Sequence, residues 1–173
     1  MKALDEFVIR FSGLRQGLHE FDFKVNDKFF SCFENSEITK GELDIKVEMD
    51  KKSVLLMFYL EATGNVELPC DRCGDDFKVA IDTDYEFIVK LGNEESQGED
   101  EVVFLPLQEY EINIAQQIYE MISLAVPFQR VHPDGECNSK ALKMISVYDA
   151  ARDKNKKEID PRWDALKALK KKK

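Results

Sequence analysis

Two stretches of strict alternation constrain this chain more than anything else in it. Leu43, Ile45, Val47 and Met49 stand between Glu42, Asp44, Lys46 and Glu48. Farther on, Phe77, Val79, Ile81, Thr83, Tyr85, Phe87 and Val89 recur at every second position. A period of two sends successive side chains to opposite faces of a strand, so each stretch predicts a half-buried strand with one apolar face. The second run exceeds an ordinary strand in length and predicts one that bends and twists. His19, Phe21, Phe23 and Val25 alternate with Glu20, Asp22 and Lys24 in the same way, as Phe7, Ile9 and Phe11 do over residues 5–11. Val54–Leu60 is continuously apolar, as in a central strand covered on both faces. Gly64-Asn65 is a two-residue hairpin signal, with Val66, Leu68 and Cys70 on one face beyond it.

Helices are fewer. Asn113 to Ala125 predicts one, with Asn113 as N-cap and Gln116 three residues on, as a capping box requires. Ala115, Ile118, Tyr119, Ile122 and Val126 form its apolar stripe, and Pro127 ends it. Phe29, Phe30 and Phe33 fit helical spacing behind Asn26 or Asp27, with Cys32 among them as a packed, inert thiol. Val102–Leu107 reads as one more short strand or an extended segment after an acidic loop over Leu91–Glu101. The expected fold is α+β: an antiparallel β-meander, a partly closed, barrel-like sheet packed by one main helix, with a short C-terminal helix or a disordered tail. Residues 1–137 form the expected domain, 138–159 a polar linker or weak helix, and 160–173 a basic amphipathic end segment.

Length and charge narrow the function. One domain of ordinary size accommodates 173 residues. The formal net charge is -9, which argues against a general coat for nucleic acid. The distribution is uneven: ten basic and four acidic side chains follow residue 151. Only that end of the chain suits phosphate. Asp160-Pro161 is a helix-start signal there, followed by Trp163, Leu166 and Leu169 at helical offsets, with Arg162 and Lys170 beside them. Such a piece docks either on its own body or on a partner, so Trp163, Leu166, Leu169, Arg162 and Lys170 are the candidate partner-binding residues. Met1–Arg10 mixes charges with short apolar runs and does not read as a secretory signal, and no stretch has the length of a membrane span. The cytoplasm is the expected location, with neither membrane nor DNA as partner.

Four cysteines in a reducing compartment bind metal or stay buried as thiols. Cys70-Asp-Arg-Cys73 places two thiols on a tight turn, followed by Gly74. His132-Pro-Asp-Gly-Glu-Cys137 places an imidazole and a thiol on a Pro/Gly loop. Together they make a soft-ligand set for one tetrahedral Zn2+, with Cys70, Cys73, His132 and Cys137 as candidate ligands and no open position for catalysis. A C-x-x-C also serves thiol–disulfide exchange, and that alternative stays open, although the motif here lies between two predicted strands rather than before a helix. His19, on an apolar strand face, reads as a packed aromatic. No Walker loop, G-x-S-x-G or dinucleotide fingerprint is present.

Four stretches in register resemble a known family. They are Leu68–Phe77 around the C-x-x-C, Ile112-Asn-Ile leading a helix into Ala125-Val-Pro127, His132-x4-Cys137, and Asp160–Leu169. They are similar to the YceD-type large ribosomal RNA subunit accumulation proteins, from about Glu42 to the C-terminus. The resemblance implies a bacterial or plastid factor needed for 23S ribosomal RNA accumulation, not an enzyme, acting on pre-ribosomal RNA, a ribosomal protein, or both. Two other classes stay open beside it: a thiol–disulfide redox protein using Cys70 and Cys73, and a zinc-stabilised adaptor unrelated to ribosomes.

Overall fold

The computed structural model describes residues 2–34, 36–92 and 102–155. In chain order the elements are a 3-10 turn over Lys2–Phe7, β1 (Val8–Ile9), β2 (Gly17–Val25), α1 (Asp27–Phe30), β3 (Lys40–Lys51), β4 (Leu55–Pro69) and β5 (Asp76–Leu91). β6 (Val102–Leu105), β7 (Ile112–Asn113), α2 (Ala115–Ala125) and α3 (Ser139–Asn155) follow. The chain divides into two compact units: Met1–Pro69 with Asp76–Arg130, and Cys70–Asp75 with Val131–Lys173.

The first unit is a mixed α+β structure built on five strands in the order β2-β3-β4-β5-β6. β2 to β5 pair antiparallel with sequential neighbours, as the alternation predicts. The pleat sends Leu43, Ile45, Val47 and Met49 of β3 inward, together with Leu56, Phe58, Leu60 and Ala62 of β4 and Val79, Ile81, Phe87 and Val89 of β5. Phe58 and Phe87 stack across the β4–β5 pair with centroids 4.8 Å apart. Helix α2 adds Ile118, Met121 and Ile122 to the same core. Phe7, Ile9 and Phe11 are buried in it as well, although only Val8 and Ile9 are in a strand, paired with β7. The amide of Asn113 donates to the carbonyl of Leu4, and its Oδ1 accepts from the N–H of Ala115 at 2.9 Å. Asn113 thus stands one residue ahead of the helix: the N-cap is Ile114, which makes no side-chain cap bond, so the expected Asn113 cap is displaced by one residue, and Gln116 bonds forward to Glu120 and forms no capping box.

Four further expectations need correction. Val54–Leu60 is not covered on both faces: Leu56, Phe58 and Leu60 are buried, while Val54 and Met57 are exposed. The sheet is open among the described residues, with β2 and β6 at its edges, so no barrel closes. β6 pairs with β5 in parallel, which a hairpin cannot produce, so the meander ends at β5. Gly64-Asn65 is not a turn: it lies inside β4, a single strand of 15 residues. Gly64 pairs with Leu43 at a φ of +157°, and a Cβ there would meet the carbonyl oxygen of Glu42 at 2.2 Å. The glycine serves the close approach of two backbones, a use that the turn signal does not distinguish.

The outer face of this sheet is acidic. Glu20 stands opposite Glu48, and Glu61 opposite Asp84, all exposed. Burial raises the Tyr59 hydroxyl above its ordinary pKa, and Asp84, Glu61 and Glu86 push it further. His19 is half-buried, with a ring nitrogen 2.8 Å from the carbonyl of Arg15. The Cys32 thiol, also half-buried, donates to the carbonyl of Lys28.

Candidate metal centre

The connection between β4 and β5, Cys70–Asp75, belongs to the second unit. Its backbone folds into a closed loop: the N–H of Gly74 donates to the carbonyl of Cys70 at 2.9 Å, and that of Cys70 to the carbonyl of Asp75 at 3.0 Å. Gly74 takes a φ of +79°, a left-handed conformation that L side chains resist. The N–H of Arg72 donates to the Cys70 sulfur at 3.4 Å. On the second loop, the N–H of Glu136 donates to the carbonyl of Pro133 and turns the chain between His132 and Cys137.

All four expected ligands converge. Their ligand atoms lie within 4.8 Å of one another, in the one such grouping of metal-ligating side chains among the described residues. The Cys70 and Cys137 sulfurs are 3.9 Å apart, and the Cys73 sulfur is 3.4 Å from Nδ1 of His132. With bonds of about 2.3 Å to sulfur and 2.0 Å to nitrogen, tetrahedral ligands stand about 3.8 Å apart sulfur to sulfur and about 3.5 Å sulfur to nitrogen. These two pairs match that spacing. Cys70 and Cys137 are buried; Cys73 and His132 are half-buried. The residues therefore fit a metal ion by donor type, number and separation.

The electrostatics suit a cation. Burial raises the Cys70 thiol, but backbone N–H groups of His132, Cys73 and Arg72 outweigh it and lower its pKa to about 5. Cys137 moves the other way: burial raises it, and its hydrogen bond and proximity to Cys70 raise it further. One thiolate is stabilised before any ion arrives, and further negative charge is resisted until a cation compensates it.

Sequence reasoning missed two supporting residues. Asn138 donates from Nδ2 to Oδ2 of Asp75 at 3.0 Å and accepts from the N–H of Lys140 at 2.9 Å. An Asn before a helix is an N-cap signal, which would have identified Asn138 had α3 been taken as a helix throughout. The candidate partner-binding residues Arg162, Trp163, Leu166, Leu169 and Lys170 lie outside the described residues. No described helix is long and apolar enough to cross a membrane.

Fold and site together define a small α+β protein with a Cys3His cluster on two loops that could hold a metal ion. The model of one family, described as "Large ribosomal RNA subunit accumulation protein YceD", matches residues 58–170, more than half of the chain. The chain belongs to that family, and the family's name ties it to large ribosomal RNA subunit accumulation. No curated protein and no solved structure matches it.

Proposed function

We propose that the protein is a non-enzymatic, cytoplasmic factor for biogenesis of the large ribosomal subunit, required for 23S ribosomal RNA to accumulate. Membership of the family carries this reading. The acidic outer face of the sheet favours a basic ribosomal protein over bare RNA as the client of that surface, by charge complementarity. The basic segment after residue 151 is the part suited to pre-ribosomal RNA, with Trp163, Leu166 and Leu169 as the apolar contact and Arg162 and Lys170 as salt-sensitive anchors. Depleting the protein and quantifying ribosomal RNA tests the reading: 23S is expected to fall relative to 16S, and an unchanged ratio refutes it. Deleting residues 160–173 tests the partner contact. Association with the precursor particle is expected to be lost with near-unchanged melting, and retained association refutes that assignment.

The ion in this reading is Zn2+, bound by Cys70, Cys73, His132 and Cys137 in a structural role. Three sulfurs and one imidazole are its preferred ligands, and all four positions are filled by the chain. The lowered Cys70 pKa favours a second reading, a thiol–disulfide protein, because a low-pKa thiol is the usual attacking group. The same thiolate is what zinc requires, and the C-x-x-C lies between two strands rather than before a helix. Metal analysis and a reductase assay separate the two. About one zinc per chain and no dithiol reductase activity are expected, and turnover in the metal-free protein would favour the redox reading.

A further inference from the structure

Helix α3 is longer than its packing explains. It runs for seventeen residues, yet of its described side chains only Ala141 and Leu142 are half-buried and none is buried. Isolated helices only slightly shorter than this are marginal in water even when rich in Ala, because the first turn is costly to nucleate. Met144, Val147 and Tyr148 share one helical face and are 67%, 69% and 77% exposed. Among the described residues, the bonds that tie the helix to the rest of its unit lie at its N-terminus.

Asn138 is there. Its Oδ1 accepts from the N–H of Lys140, and its carbonyl accepts from that of Leu142 at 3.1 Å, so it closes the first turn. Its Nδ2 is committed elsewhere, donating to the carboxylate of Asp75. Asp75 ends the C-x-x-C loop and holds it shut by accepting from the N–H of Cys70. Asn138 also follows the ligand Cys137 directly. One carboxamide therefore joins the two ligand loops to each other and to the helix.

We propose that Asn138 couples the metal site to helix α3. An ion that draws Cys137 and His132 to Cys70 and Cys73 sets the carboxamide against Asp75, and the amide so fixed caps the helix. The metal thereby decides whether Met144, Val147 and Tyr148 are presented as one face. Asn138 is a positioning residue and touches no ligand atom. The inference rests on the zinc reading above.

The test uses the full chain, stripped with a chelator and titrated with Zn2+ against a chromophoric competitor. Circular dichroism at 222 nm and amide exchange over residues 139–148 report the helix. For the wild type, loading is expected to raise helicity and slow exchange in that segment. Asn138→Asp keeps a good cap but replaces the donor with a carboxylate facing Asp75. It is expected to weaken zinc binding about twofold to fivefold, because an exposed hydrogen bond between the loops is exchanged for repulsion between two carboxylates. Adding Asp75→Asn to that variant restores a donor–acceptor pair with its polarity reversed, and affinity is expected to return close to wild type. Asn138→Ala removes cap and donor together and is expected to lose the helicity gained on loading. A wild type that binds no zinc refutes the reading beneath the proposal. A wild type that binds zinc, with helix signals indifferent to loading or with the single and double variants binding alike, overturns the coupling itself.

Discussion

The unit of Met1–Pro69 with Asp76–Arg130 and the unit of Cys70–Asp75 with Val131–Lys173 are held by different chemistry. The first contains the whole contiguous apolar core, drawn from four long strands, α2 and the N-terminal segment. Among the described residues of the second, the buried side chains are two thiols, Cys70 and Cys137. Hydrophobic burial scales with area, and two thiols supply little of it. A unit of that kind needs a cross-link, and four converging ligands are suited to bind one. The sharpest way to break the comparison is to remove metal. Structural zinc contributes roughly 10–16 kcal/mol of apparent binding free energy in small zinc-dependent folds at neutral pH. Chelation is expected to abolish amide protection over residues 70–75 and 131–148 while β2–β5 stay protected, as read by hydrogen exchange. Equal loss in both units would show that they share one source of stability.

The same division explains what was legible in the sequence. Strands of the first unit announce themselves because each buries one face, so Leu43-x-Ile45-x-Val47-x-Met49 can be satisfied in only one way. Gly64 misleads because a Gly that suits a hairpin also suits a place where two backbones approach. The partner of β6 was invisible because four residues of strand do not encode direction. In the second unit the ligands were legible by scarcity: the chain has four Cys and two His, and three Cys and one His fall in two short motifs. Helix α3 was only half legible, since most of its described apolar residues are exposed and leave little periodicity to read. Asp75 was unreadable, because a carboxylate in a chain this acidic carries no signal until its partner is placed.

A core truncation sharpens the comparison from the other side. Leu60 is fully buried at the centre of β4. Leu60→Ala removes transfer free energy and leaves a cavity, at a cost of about 2–5 kcal/mol. Thermal or urea denaturation is expected to show that loss in the first unit, while zinc stoichiometry by elemental analysis stays unchanged. A variant that loses its zinc in proportion to its stability would contradict the separation.

A change within the ligand set should matter less than either. His132 supplies Nδ1 at 3.4 Å from the Cys73 sulfur and is half-buried. Four-cysteine sites are a common tetrahedral arrangement for zinc, so the donor matters more than the ring. His132→Cys is expected to retain one zinc per chain with affinity within about tenfold of wild type, or roughly 1.4 kcal/mol. His132→Ala is expected to weaken binding well beyond that. Competition with a chromophoric chelator measures both, and equal affinities in the two variants would remove His132 from the ligand set.

The smallest effect is on the outer face of the sheet, where the expected sign is opposite. Glu61 and Asp84 are cross-strand partners and both are exposed. Like charges directly opposite destabilise a sheet by roughly 0.2–1 kcal/mol per pair. The raised pKa of Tyr59, burial first and then Asp84, Glu61 and Glu86, records the same negative field. Asp84→Asn keeps the side chain's length and removes only the charge, and, unlike Glu61, which also faces Lys46 of β3, Asp84 has Glu61 alone opposite it among the described strands. It is therefore expected to raise the melting temperature slightly at low ionic strength. The gain should shrink in 1 M salt, where the Debye length is about 3 Å. Zinc affinity should not change at either salt concentration. A gain that persists unchanged in high salt would mean that something other than repulsion had been relieved, and a loss of stability would mean that the carboxylate contributes to the sheet it crowds.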